Sequence, residues 1–125
     1  MAKWTAFPYD LFDLDAAAVK KQWARLHAGD AEPLPKDAKV LEAWLLFHRG
    51  EFQKAFDAGV KLGGAGITVA NKAQAIYANY LEKSEKTKLA MFQEIAARAE
   101  EQQREEPKNA NAFYWQAYAL GRYSQ

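Results

Sequence analysis

The chain of 125 residues contains no cysteine. That absence removes a disulfide framework, a thiolate metal site and a cysteine nucleophile together. Histidine is nearly absent too: His27 and His48 stand alone, with no His-x-x-x-His pair and no Glu-x-x-His arrangement to seat a metal. Charge of one sign is missing, because 17 basic and 16 acidic residues leave a net charge of +1. A dedicated nucleic-acid or membrane surface has no support from such a balance. No stretch approaches the roughly 18 apolar residues of a membrane span. Met1-Ala2-Lys3-Trp4 opens without an apolar run of signal-peptide length, so the cytoplasm is the expected compartment. Half the residues are nevertheless hydrophobic, with 7 Phe, 6 Tyr and 4 Trp, which predicts one folded domain over 1–125 rather than a disordered tail.

The periodicity is helical throughout, and the expected class is all-α with about six helices. Residues 1–14 read as an aromatic arm broken by Pro8, with Trp4, Phe7 and Tyr9 packing on the first helices. Asp13 or Asp15 caps a helix running to about His27, with Val19, Trp23 and Leu26 on one face. Asp37 caps a second, carrying Val40, Leu41, Trp44, Leu45 and Phe47 and closing at Arg49-Gly50. Glu51 opens a third with Phe52, Ala55, Phe56 and Gly59. Glycine inside a helix costs roughly 1 kcal/mol relative to alanine. Gly59 is therefore expected to mark the close approach of a neighbouring helix.

Gly63, Gly64 and Gly66 form the next turn. A fourth helix follows over about 68–81, with Ala73, Ile76, Tyr77, Tyr80 and Leu81 facing inward. Ser84 caps a long fifth helix that buries Leu89, Phe92, Ala96 and Ala99 and ends in a solvated run of carboxylates at 100–106. Pro107 stops it, and a sixth helix begins near Asn109 or Asn111.

Ala43-Trp44, then Gly50-Glu51-Phe52, then Lys54-Ala55-Phe56, and later Pro107-Lys108-Asn109-Ala110 form a recurring order of phrases. This order resembles the tetratricopeptide repeat, a helix–turn–helix unit of about 34 residues. The resemblance covers about 15–125. It implies a short right-handed solenoid of stacked antiparallel hairpins, with Gly50 and Gly121 at turns inside hairpins. It also implies a concave groove lined by the first helix of each unit, here 37–49, 68–82 and 109–121. Such a groove takes an extended or helical peptide and performs no chemistry. The expected contact residues are Lys39, Arg49, Asn71, Lys72, Asn79, Asn111 and Gln116. Their amines and amides suit an acidic partner. The expected function is therefore non-enzymatic protein–protein interaction without a cofactor.

The closing residues Gly121-Arg122-Tyr123-Ser124-Gln125 resemble the opening of a hairpin whose second helix does not follow. Two expectations arise. The chain is the N-terminal part of a longer protein, or its aromatic last helix is covered by another subunit. The second is a homodimer joined through Phe113, Trp115 and Tyr118. Chemistry finds no foothold elsewhere. His27 lies near a helix C-terminus, where a partial positive charge is favourable, and His48 lies in a helix that is mostly core, so both read as structural. Gly63-Gly64-Ala65-Gly66 has neither the preceding strand nor the Gly-Lys-Ser/Thr ending of a phosphate loop. Ser84 and Ser124 lack a neighbouring base.

Overall fold

The structure, a computed structural model, describes residues 3–7 and 14–125. Pro8, Tyr9 and Asp13, which carry expectations above, lie outside the described residues. Seven helices and no strand occur among the described residues. Asp15, Asp37, Ser84 and Asn109 each accept a first-turn backbone N–H, which sets the starts of four helices where the capping residues predict them.

The first expected helix is two. α1 (Ala16–Lys21) and α2 (Trp23–Leu26) are separated by Gln22, whose φ of −102° and ψ of 13° leave the helical region. α3 (Ala38–His48) follows, and Gly50 at φ 90° makes the turn into α4 (Phe52–Leu62). Gly63 and Gly64, at φ 67° and 49°, make the turn into α5 (Gly66–Tyr80). α6 (Glu85–Glu105) and α7 (Ala110–Tyr123) complete the chain.

Gly121 does not make a turn. It sits inside α7 with no positive φ, and the helix continues past it to Tyr123. Tyr80 and Leu89, expected to face inward, are exposed. Tyr80 is the last residue of α5, where the chain leaves its neighbours.

The helices pack mainly on their sequence neighbours, α4 on α5 and α6 on α7 most extensively. α5 also reaches α3 and α7, so it is the central element. Ten of its residues are buried, including Val69, Ala70, Ala73 and Tyr77. The expectation for Gly59 holds. A methyl group there would run into the Gly66 carbonyl and stand 2.8 Å from the Ala70 nitrogen. The backbones of α4 and α5 touch because both residues lack a side chain. The arm closes one side: Trp4 is buried, stacked on Tyr77 at 4.5 Å and tilted against Phe56 at 5.0 Å. The Thr5 N–H donates to the Tyr77 hydroxyl at 2.9 Å.

Candidate functional site

The connection between α2 and α3 touches every helix expected to line a groove. It begins as a tight turn in which the Ala31 N–H donates to the His27 carbonyl at 2.8 Å. The Asp30 carboxylate accepts from the Glu32 N–H at 3.2 Å, the local bond that aspartate makes in turns. Ala31 is held at φ 53°, a left-handed conformation that a residue with a Cβ adopts at a cost.

From this turn three ties run outward. Asp30 accepts from Lys72 Nζ of α5 at 2.7 Å. Glu32 accepts from Asn111 Nδ2 of α7 at 2.7 Å. His27 Nε2 lies 2.9 Å from His48 Nε2 of α3. The Trp23 indole N–H adds a bond to the Glu32 carbonyl at 2.7 Å. A strap of the chain itself therefore lies across α3, α5 and α7.

The rings beneath the strap are closely layered. Trp23 stacks on His27 with centroids 4.0 Å apart, and Trp44 meets His27 edge-on at 4.7 Å. Lys72 passes over the Trp44 and Phe47 rings at 5.8 and 5.3 Å, a cation–π placement that holds its ammonium above apolar surface. Only 2% of His27 is exposed.

These surroundings set the charges. Burial alone would raise Asp30, but hydrogen bonds from His27 and Lys72, together with the Lys72 charge, hold it well below the usual carboxylate range. Glu32 goes the other way. Burial pushes its carboxyl up, the Asp30 and Glu106 charges add to that, and the Asn111 bond opposes it only in part. Burial, then the His27 and Lys72 charges, push His48 down to about 4. Among the described residues no group of three His, Cys, Asp or Glu side chains is placed to hold a metal ion. A cavity of about 320 Å³ opens between the arm and residues 50–54, and its walls include none of the strap residues.

Protein-family models, curated proteins and solved structures contain no match to this chain.

The expected contact residues fall into three groups. Lys72 and Asn111 are joined by the strap. Asn71 is fully buried, and its carbonyl oxygen accepts from Arg98 Nη1 at 2.8 Å, beside a second bond from Arg98 to Gln74 at 3.0 Å. Asn71 thus serves to seat a half-buried guanidinium, and no partner can reach it without unfolding α5 from α6. Asn79 donates to the Tyr118 hydroxyl, and Gln116 accepts from Gln103 Nε2 at 2.6 Å. Lys39 stands exposed near the start of α3, and Arg49 lies 3.9 Å from Glu51.

Of the three residues expected to join subunits, Trp115 is the most buried. It is only 4% exposed and belongs to the hydrophobic core, because α7 packs on α5 as well as α6. Phe113 is exposed, and Tyr118 is partly buried against Trp115 at 5.3 Å.

Sequence reasoning missed the strap and the histidine pair. A signal was present: Trp23-x-x-x-His27 and Trp44-x-x-x-His48 repeat the same spacing, which places a ring and an imidazole one helical turn apart in two successive segments.

Proposed function

We propose that the chain is a non-enzymatic protein-interaction module, built from stacked helical hairpins of tetratricopeptide type, whose contact surface is the outward face of α7. One observation carries this reading. Phe113, Tyr114, Leu120 and Tyr123 stand 48%, 47%, 51% and 41% exposed along a single helix. Meanwhile Asn71, Lys72, Asn79, Asn111 and Gln116 are all bonded within the chain. Exposed apolar side chains grouped on one helix mark an interaction site more than the singly exposed Leu34, Tyr80 and Leu89 do elsewhere. Phe113, Ala117 and Leu120 lie at spacings of four and three, so they form one stripe that a second helix could cover.

Sedimentation of the wild type and of Phe113→Ser/Leu120→Ser over a range of concentrations is the first test, followed by affinity capture with both proteins. The expected result is a dimer, or a captured protein, that the double variant loses while its thermal unfolding stays unchanged. A wild type that remains monomeric and retains the same proteins as the variant refutes this surface.

A second reading rests on the strap. Lys72 and Asn111 already hold the carboxylates of Asp30 and Glu32, so the face of α5 and α7 recognises an acidic segment. In this reading a partner's acidic peptide takes the strap's place. Lys72→Glu should then abolish capture while Phe113→Ser/Leu120→Ser leaves it intact.

A further inference from the structure

Lys72, Asp30, His27 and His48 form one continuous line of polar contacts, at 2.7, 3.0 and 2.9 Å in that order. The carboxylate settles the protons in its middle. An ionised Asp30 only accepts, so His27 Nδ1 carries a hydrogen and donates it. The two Nε2 atoms then face each other with room for one hydrogen between them. One proton there is a hydrogen bond, whichever ring carries it. A hydrogen on both nitrogens sets two donors head-on with no acceptor, and the rings must part. His27 cannot swing aside within the closed structure, because Trp23 stacks on one face and Trp44 meets it edge-on.

The strap is tied to that residue. Ala31 is bonded to the His27 carbonyl, and Asp30 to its Nδ1. The left-handed backbone at Ala31 already opposes the closed form. We propose that the His27–His48 contact is an acid-operated latch: a single proton between the rings keeps the strap closed over α5 and α7, and a second proton releases it.

The charged groups around His48 support the direction. His27 at the end of α2 and Lys72 of α5 oppose another positive charge, and only Asp30 of the strap favours one. Burial and these two neighbours lower the His48 pKa from its ordinary 6.5 to about 4. Closure is then strained progressively as the pH falls through that interval. Release frees Lys72 and Asn111 from Asp30 and Glu32. Glu32 works in the opposite sense, since its raised carboxyl is neutralised in place by acid. The test must therefore separate the histidine from the carboxylates.

The Trp23 indole N–H, bonded to the Glu32 carbonyl, and the Ala31 amide, bonded to the His27 carbonyl, report on the strap directly. Their hydrogen-exchange protection factors are measured by NMR on the full chain from pH 7 to pH 4, with far-UV circular dichroism alongside. The wild type is expected to lose about tenfold or more of that protection at constant helix content; the full shift would permit roughly 160-fold at pH 4. His48→Gln and His27→Gln each remove a titratable ring, and whichever of them folds should lose no protection as the pH falls, since the remaining Glu32 acts in the opposite sense. A wild-type profile without pH dependence overturns the latch. So does a folded glutamine variant that loses protection as steeply as the wild type. A loss of helix content in step with the strap also overturns it, because acid would then be unfolding the whole domain.

Discussion

Gly59→Ala and Gly121→Ala are the same substitution inside two helices, and they should change stability in opposite directions. Alanine is favoured over glycine in a helix by about 1 kcal/mol. At Gly121 nothing lies within 4 Å of the added methyl, so the variant should gain up to about that amount. At Gly59 the methyl stands 2.8 Å from the Ala70 nitrogen and 3.1 Å from the Ala70 Cβ, and it overlaps the Gly66 carbonyl oxygen. Two of those atoms belong to backbone and cannot rotate away, so α4 must shift off α5. Overpacking of a well-packed core costs about 1–3 kcal/mol, with larger values when the backbone itself is displaced. The α4–α5 contact is one of the two most extensive in the fold, which places Gly59→Ala at the upper end.

After the propensity gain, a net loss of about 2 kcal/mol is expected. For a chain of this length that corresponds to a fall in Tm of roughly 6–10 °C. In urea the midpoint should drop by about 1 M at unchanged slope. Equilibrium unfolding of the two variants beside the wild type is the assay. A Gly59→Ala protein as stable as the wild type would refute the close approach of α4 and α5, and with it the central packing of the domain.

Three further predictions follow from the same structure. Trp4→Ala removes a buried ring that stacks on Tyr77 and touches Phe56, and should cost about 3 kcal/mol in urea unfolding; a cost below about 1 kcal/mol would mean that the arm does not dock. Lys72→Met keeps the apolar stem over Trp44 and Phe47 but leaves Asp30 with His27 as its remaining side-chain donor. Breaking a fully buried pair costs about 3–5 kcal/mol, and with 15% of the Lys72 side chain exposed, about 2–3 is expected. A change within experimental error would show that the strap is not held by that bond. Glu32→Gln should stabilise the protein at pH 7. The folded state holds the Glu32 proton more tightly than the unfolded state, so this carboxyl contributes least at high pH. The amide keeps an oxygen for Asn111 and removes the buried charge, so the gain should vanish as the pH falls into the carboxylate range. A variant less stable than the wild type at pH 7 would contradict it.

Local signals were readable in the amino-acid order wherever the physics is local. Four capping side chains mark helix starts because a short side-chain oxygen next to free N–H groups acts within three residues. The apolar faces of α3 and α4, and that of α6 apart from Leu89, follow from helical spacing, and the close contact at Gly59 from the cost of glycine inside a helix. Errors arose where a residue's role depends on something distant in sequence. Gly121 has the phrase of a turn but lies in α7, which runs on to Tyr123. Trp115 looks uncovered when one neighbouring helix is counted, and is buried because α5 reaches α7 across the intervening helix.

The polar residues divide in the same way. That Lys72 and Asn71 would lie on one helix and Asn111 on another could be read from the helical periodicity. Their occupation by Asp30, Arg98 and Glu32 could not, since those bonds join residues 42, 27 and 79 positions apart. By itself, then, the sequence determined a helical chain without thiol chemistry, the starts of four of its helices and most of the side chains that turn inward. Only the tertiary structure decided that Asp30 and Glu32 of the chain's own strap take up Lys72 and Asn111, that His27 meets His48, and that Phe113 and Leu120 of α7 are left exposed. The physical reason is range: caps and periodicity are properties of a few consecutive residues, whereas the partner of a buried polar group is chosen by which distant helix the packing brings within about 3 Å.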